Sequence, residues 1–451
     1  MVSKISRSLG TTLLFSAIAA SGNALAAGFY IQEQNAAGVG RAQAGNVVAA
    51  DDASTIYFNP AGLSELPGVQ AAGAIDTIIP SAGLTDKGTV NRSLGAYQAN
   101  PSSLGFSSPG TSNGGNPGSA TPVPDLYLSA QIGDSPFTVG FGLTAPFGFV
   151  SKFTPDSFAR YDSIESNVMT IDLAPTIAWR VNDWLSIGLG IDEQYAKVKL
   201  SQALPNPLVP AGPTPATDGS LAVTGSDWTT GFNAGVLVKP NINTKIGFSY
   251  RSGITHQIAG TATFAGLAGP LAARNGSVAA NAALNLPDIY SVGISRKFTP
   301  ELTFLLEGDY YTWSRFKQID VHLLDGSGDL VTLENYRDTY SMALGAEYQL
   351  TDQLKLKSGV KYDQTPTVDA YRDTRVPDGD RIWVSAGLHY QLTSQLGIDA
   401  GYAHIFMKDA SVNVTRSFYA GSIPVIPTSS AIKAQTNVAL DILSIGFAYK
   451  F

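Results

Sequence analysis

Leu443-Ser444-Ile445-Gly446-Phe447-Ala448-Tyr449-Lys450-Phe451 closes the chain, and its side chains alternate. Leu443, Ile445, Phe447, Tyr449 and Phe451 point one way, and Ser444, Gly446, Ala448 and Lys450 the other. Period two defines a β-strand with one apolar face and one polar or small face. Such a strand suits a soluble core or the wall of a membrane barrel. The rest of the chain decides which.

The other end carries an address. Residues 1–26 hold Lys4 and Arg7, no acidic residue, an apolar run from Leu9 to Ala20, and the small-x-small pattern Ala24-Leu25-Ala26. This is the pattern of a secretory signal peptide, with cleavage expected after Ala26. Its apolar run of about a dozen residues is too short for a spanning helix, which needs about 20. Of the 29 Lys and Arg, Lys4 and Arg7 leave with the signal, so 27 stand against 36 acidic residues and the net charge becomes −9. No basic patch of the kind that binds nucleic acid is present. Cysteine is absent, which removes disulfide and thiolate chemistry.

Alternating runs lie near Val69–Ile79, Pro124–Ile132, Phe137–Gly148, Ile164–Val181, Trp184–Leu200, Trp228–Val238 and Asn243–Gly260. Seven more lie near Leu284–Phe298, Leu302–Val321, Val331–Leu350, Leu354–Thr365, Arg381–Leu392, Leu396–Ala410 and Asn437–Phe451. That makes 14. Short turns such as Asn182-Asp183 and Thr351–Gln353 interleave with long connections such as Ser201–Asp227 and Thr261–Ala283. A sandwich has no reason to sort loop lengths by end. An outer-membrane barrel has tight periplasmic turns, long outer loops and an even number of strands. In 354–363, Leu354, Leu356, Val360 and Tyr362 alternate with Lys355, Lys357, Lys361 and Asp363. A charge facing hydrocarbon costs about 2–4 kcal/mol near the midplane, so the lysines are expected in the lumen. The expected fold is all-β: a 14-stranded antiparallel transmembrane β-barrel with a small N-terminal plug. The expected division is signal 1–26, hatch 27–66 and barrel 67–451. Outer-membrane barrels commonly end on an aromatic residue read by their assembly machinery, and Phe451 fits that role.

Residues 27–66 do not alternate. They hold Gly38, Gly40, Gly45, Gly62, the pair Asp51-Asp52, and Asn59-Pro60-Ala61-Gly62. Glycine permits close backbone approach and proline removes a donor, which suits an irregular plug inside a lumen. Gly38-Val39-Gly40 is no dinucleotide loop, because the third glycine falls at the wrong spacing.

With these residues the chain resembles the FadL/TodX family of outer-membrane transporters for hydrophobic compounds. The carrying stretches are Gly28-Phe29, Gly38-Val39-Gly40-Arg41-Ala42, Ala50-Asp51-Asp52-Ala53 and Asn59-Pro60-Ala61. Leu286-Pro287-Asp288, Tyr311-Thr312-Trp313-Ser314-Arg315-Phe316 and Val376-Pro377-Asp378-Gly379-Asp380-Arg381 extend the resemblance. It implies a 14-stranded barrel with an N-terminal hatch whose moving part is Asn59, Pro60 and Ala61. It also implies a strand kinked at Gly148, after Phe147, that opens the wall toward the bilayer. Pro146 would aid that kink, since proline cannot complete a sheet ladder; alternatively, the strand ends at Pro146.

An apolar solute gains nothing from a watery pore, since hydration disfavours it by about 25 cal/mol per Å². Two outer loops carry apolar pieces, one with Leu204, Leu208 and Val209 and one with Phe264, Leu267 and Leu271. The resemblance implies a capture groove between them, although the same residues could instead pack into a cap. Fatty-acid members of the family hold the carboxylate with basic lumenal side chains. The corresponding positions fall on Gln202 and near Leu333 or Glu334, so the cation is expected from Lys197, Lys199 or Arg337. That loss of the usual clamp also admits aromatic or aliphatic hydrocarbons.

Catalysis is not expected. His256, His322, His389 and His404 lie in no nucleophile or metal motif, and Asp325–Asp329 reads as a tight turn rather than a calcium loop. A diffusion porin for polar solutes is opposed by the plug and the apolar loops. No cofactor or metal is expected. The partners expected are hydrophobic small molecules, outer-membrane lipid and lipopolysaccharide, and the assembly machinery, with the chain a monomer.

Overall fold

The computed structural model describes residues 28–93, 112–207, 213–419 and 428–451. The expected signal peptide, Leu208 and Val209 lie outside them. Fourteen wall strands follow in chain order. The first six are β1 (Val69–Asp86), β2 (Thr121–Gln131), β3 (Phe137–Thr144, resumed as Gly148–Lys152), β4 (Glu165–Arg180), β5 (Leu185–Leu204) and β6 (Gly219–Asn241). Four strands come in two pieces each: β7 (Thr244–Arg251, Thr255–Ala265), β8 (Gly276–Asn285, Ile289–Lys297), β9 (Leu302–Tyr311, Gln318–Leu323) and β10 (Gly328–Leu333, Thr339–Gln349). The last four are β11 (Leu354–Asp363), β12 (Arg381–Gln391), β13 (Leu396–Met407, Ser411–Phe418) and β14 (Thr428–Lys450). Each strand pairs antiparallel with the next, and β14 returns to β1 in register from Gln70↔Lys450 to Asp86↔Ala434. The sheet closes on itself as a 14-strand barrel, with β14 against β1.

Side-chain alternation identifies the lipid face. On β14, Ile445 is 61% exposed and its neighbour Ser444 6%. On β11, Leu356 and Val360 are exposed while Lys357 and Lys361 are buried in the lumen, where they meet Asp399 at 2.7 Å and Asp309 at 3.5 Å. Aromatic girdles bound the apolar band. Tyr250, Tyr290, Tyr310 and Tyr340 sit opposite one another across β7 to β10. Tyr348 lies eight residues down β10 from Tyr340. At roughly 3.4 Å per residue and a tilt of about 40°, that spacing is about 20 Å, near the roughly 25 Å of an outer-membrane apolar band.

The strands run well past the upper girdle, and this corrects the expected loops. Ser201–Asp227 and Thr261–Ala283, expected as long connections, are largely strand: β5 and β6 stay paired up to Leu204↔Gly219, and β7 and β8 up to Phe264↔Gly276. The alternation inverts there. Below the girdle Leu189 and Ile191 face lipid and Asp192 and Gln194 face the lumen; above it Lys197 is outside and Val198 and Leu200 line the interior. Water replaces lipid outside, so the polar face turns outward and the apolar face inward.

Residues 28–66 fill the barrel. They form three single-turn helices, α1 (Ala36–Val39), α2 (Asn46–Ala49) and α3 (Thr55–Phe58), and a 3-10 turn Pro60–Glu65, nearly all buried. The Asn35 side chain caps α1 by accepting from Gly38 N at 2.8 Å. Arg41 is buried between Asp51 at 2.7 Å and Glu347 of the β10 wall. Arg251 of β7 lies over the Tyr57 ring at 4.4 Å and pairs with Asp192 at 2.6 Å. Wall glycines make room: a methyl group at Gly188 of β5 would overlap the backbone of Pro60 and Ala61.

Candidate functional site

β3 leaves the wall halfway up. It pairs with β2 from Gln131↔Thr138 to Leu126↔Leu143 and no further, while Thr121–Asp125 of β2 stays paired with β1. On its other side β3 is bonded to β4 at Thr144↔Asp172 and next at Gly148↔Met169, so one extra residue bulges on β3. Pro146, which has no N–H, sits in the bulge. Thr144 through Ser151 are all buried, although a strand in the wall would alternate. Eight covered residues in a row mean that this half of β3 has turned into the lumen. The seam between β2 and β3 is therefore a gap in the barrel wall, and the strand does not end at Pro146.

Hatch backbone fills the gap. Ile31 N donates to Pro146 O at 2.8 Å and Gly148 N to Phe29 O at 2.8 Å, so Phe29–Ile31 replaces β2 as the partner of β3. Gln34 seals the next step: its Nε2 donates to Ala145 O at 3.1 Å, its Oε1 accepts from Ala145 N at 3.3 Å, and Tyr127 OH on β2 donates to Gln34 O at 2.8 Å. Phe147 points inward, 5.3 Å from the Tyr30 ring and 6.2 Å from Phe29. Asn59, Pro60 and Ala61 lie elsewhere in the hatch, against β5 and β6. Asn59 Nδ2 donates to Val47 O at 2.8 Å and to Val236 O of β6 at 3.1 Å. The hatch segment in the opening is thus Phe29–Gln34, and not the expected moving part Asn59-Pro60-Ala61.

Two adjoining cavities lie toward the outer end. An outer vestibule of about 470 Å³ is lined in part by Leu204, Phe264, Leu267, Phe418 and Tyr419. Below it lies a smaller apolar chamber of about 70 Å³ whose wall includes Val198, Ile258, Leu284, Phe149 and Phe29. Leu200, Val223, Ile319, Val321 and Arg375 border both. Leu204, Leu267 and Leu271 also pack together with Leu221 and Ala280 as a buried cluster. The two outer loops thus form a cap whose inner surface is the vestibule wall, with Leu271 inside the cap rather than on that wall.

The basic residues expected at the head of a ligand do not face either cavity. Lys197 points outward above the girdle, Lys199 is bound on the outer face to Glu165 at 2.8 Å, and Arg337 is about half exposed, with Nε donating to Thr365 O at 3.2 Å. Inversion of the alternation above the membrane explains the first two. The basic side chain between the cavities is Arg375, from the connection between β11 and β12. Its guanidinium meets Asp162 at 2.9 Å, Asp373 at 2.6 Å and Gln202 Oε1 at 3.1 Å. Arg416 reaches the same two carboxylates at 2.6 and 3.1 Å. Burial opposes ionisation of Asp162, but Arg416 and Arg375 outweigh it and hold the carboxyl well below the usual range. Gln202, and Glu334 of the pair Leu333 or Glu334, at which the family's basic residues were expected, both lie beside Arg375. The doubled Arg372-Asp373-Thr374-Arg375 run was the signal in the sequence for a buried ion cluster.

A closed barrel with girdles, a plugged lumen and apolar cavities at its outer end has the architecture of an outer-membrane channel for hydrophobic solutes. The chain belongs to the family of outer membrane protein transport proteins (OMPP1/FadL/TodX), whose sequence model matches residues 17–451. It is a transport protein of the outer membrane, and its family consists of channels rather than enzymes. It is 30% identical over 430 residues to outer membrane protein P1 of Haemophilus influenzae, covering 89% of this chain and 90% of that one. It is 28% identical over 413 residues to a long-chain fatty acid transport protein of Escherichia coli, covering 85% and 88%. The crystal structure of a Pseudomonas aeruginosa FadL homologue superposes with a TM-score of 0.82 at 26% identity, covering 94% of this chain and all of that one. The Pseudomonas putida toluene transporter TodX shares the fold, with a TM-score of 0.63 at 16% identity over 94% and 99% of the two chains.

Proposed function

We propose that this chain takes up long-chain fatty acids by passive diffusion, and that they leave the barrel sideways into the bilayer through the gap between β2 and β3. The observation that carries the reading is the buried run Thr144–Ser151 with Phe29–Ile31 paired to it. A solute caught in the vestibule moves down an apolar gradient into the inner chamber, losing contact with water at each step. At about 70 Å³ that chamber is smaller than ligand pockets, which run from roughly 300 Å³ upward, so a lining side chain has to give way. Phe29 is the side chain placed to do so. Its ring walls the chamber and its carbonyl holds Gly148, so displacing it weakens the seal at the gap. The solute then meets hydrocarbon without crossing water. The kink residues Pro146, Phe147 and Gly148 carry the exit. Asn59, Pro60 and Ala61 anchor the hatch to β5 and β6 while its leading strand moves.

Hydrocarbon uptake by the same route is the second reading, favoured by the apolar wall of the inner chamber. A strain lacking this gene, complemented with the chain, separates the two by uptake of oleate against uptake of toluene. Uptake of neither removes the transport route. A large steady open-channel current in planar bilayers would mark a porin for polar solutes instead.

A further inference from the structure

We propose that the inner chamber selects long-chain molecules with an uncharged, hydroxyl-bearing head (a protonated carboxylic acid or an alcohol), held by Glu334 and Tyr336. This deepens the uptake route proposed above and rests on it. The chamber wall is apolar except for Glu334, Tyr336 and Arg375, and Glu334 faces both of the others. Arg375 is already matched. Asp162 and Asp373 bind it and Arg416, so two cations face two anions and no surplus positive charge is left for a carboxylate.

Glu334 Oε1 and Tyr336 OH are in the opposite condition. Both residues are buried, at 4% and 2% exposure, and both atoms lack a hydrogen-bond partner. Folded proteins rarely leave such atoms unpaired, because the desolvation cost is not recovered. A ligand head in the chamber would pair both. The charged groups facing Glu334 are Asp373, Arg375, Arg416 and Asp162, and those facing Tyr336 are Glu334, Asp373, Asp378 and Arg372. Burial and Asp373 push the Glu334 carboxyl well above its ordinary range, against the pull of Arg375 and Arg416. Burial does the same to the Tyr336 phenol, which stays protonated. The head site therefore presents one carboxylic acid and one phenol, each able to donate and accept. An O–H head fits both. A carboxylate anion would bring an unpaired charge into an apolar chamber, and it takes up a proton instead.

The test is partition of radiolabelled hexadecanol, palmitic acid and hexadecane between lipid nanodiscs with and without the full chain, at about pH 5.5 and about pH 8.5. Hexadecanol should bind about tenfold more tightly than hexadecane at both pH values. Palmitic acid should match hexadecanol at the lower pH and lose about tenfold at the higher. Tyr336→Phe and Glu334→Leu should each remove most of the preference for hexadecanol, whereas Glu334→Gln should retain it. Unchanged hexadecane binding in each variant reports an intact chamber. Palmitate binding as tightly at high as at low pH, or hexadecanol binding no better than hexadecane, would overturn head-group selection and leave the uptake route standing. Failure of all three ligands to bind would remove both.

Discussion

Phe29 and Gly148 are joined by a 2.8 Å hydrogen bond from the Gly148 amide to the Phe29 carbonyl, while the Phe29 ring forms part of the inner chamber wall. One residue thus belongs both to the cavity that would receive a solute and to the seal over the gap through which it would leave. The ring also contacts Trp313 at 4.7 Å and Phe316 at 5.4 Å, so the seal is held by aromatic packing as much as by backbone pairing. Phe29→Ala should remove about 3 kcal/mol of local packing. Amide exchange at 29–34 should then speed up by about a hundredfold, with β9 to β11 unchanged, because their ladders do not depend on the hatch. Equal acceleration throughout the barrel would show Phe29 to be an ordinary core residue.

Straightening β3 tests the exit itself. A side chain at Gly148 would lie 3.2 Å from Ile31 Cδ1 and 3.2 Å from Val168 O, crowding the hatch strand. Replacing Pro146 would restore a donor for pairing with β2. The double variant Pro146→Val, Gly148→Val should assemble with the same heat-modifiable electrophoretic mobility and lose about tenfold or more in uptake rate. Uptake at the normal rate would rule out lateral exit at this seam.

Where period two met a single solvent, the sequence was enough. Leu356 and Val360 against Lys357 and Lys361 gave both the lipid face and the register of β11, because the wrong face would place lysines in hydrocarbon. The short turns gave the strand count for the same reason: tight connections occur at one end of the barrel. Ser220, Leu221, Ala222 and Val223 read as loop because no apolar face points outward; the apolar face points inward, toward the vestibule. Lys197 and Lys199 are candidate ligand contacts only through the family resemblance near Gln202; above the girdle the outer face is polar, and both lysines lie on it. Arg375 lay outside any reading by periodicity, since its position is set by Asp162, 213 residues away.

The inversion makes a direct prediction. Ile191→Lys places a charge on the lipid face below the girdle and should cost about 2–4 kcal/mol in reversible unfolding from liposomes. Lys197→Ala, six residues on and on the same outward face, should change stability by no more than about 0.5 kcal/mol. Lys197→Ala should also leave fatty-acid binding unchanged. A marked loss of binding in Lys197→Ala would return that lysine to the ligand path.

Arg41 ties the hatch to the wall through Glu347, with Asp51 as a second partner and Lys355 on the far side of Glu347 at 3.1 Å. Removing one member of a buried pair costs about 3–5 kcal/mol, because the other charge is left without its partner. Arg41→Ala should therefore loosen the hatch while the ladders keep the barrel closed. Planar-bilayer recordings should be quiet for the unaltered chain and show open events in the variant.

Glu33 makes the hatch sensitive to pH. It belongs to the segment that fills the gap, its Oε2 is buried without a partner, and burial pushes its carboxyl up to about 7 against the pull of Arg381 and Lys361. Asp76 of β1 faces it. The unfolded carboxyl titrates at its ordinary value of 4.5, so between there and about 7 the folded hatch holds a proton that the unfolded chain has released. Stability in that window falls as pH rises, by at most about 3 kcal/mol, and is level above and below it. Hatch protection factors, corrected for intrinsic exchange, should therefore drop between about pH 5 and about pH 7.5. Glu33→Gln keeps the shape without the proton and should show a flat profile, as stable at high pH as at low. The same slope in Glu33→Gln would place the titration on another group, and a flat profile in the unaltered chain would mean that Glu33 is solvated when the hatch is closed.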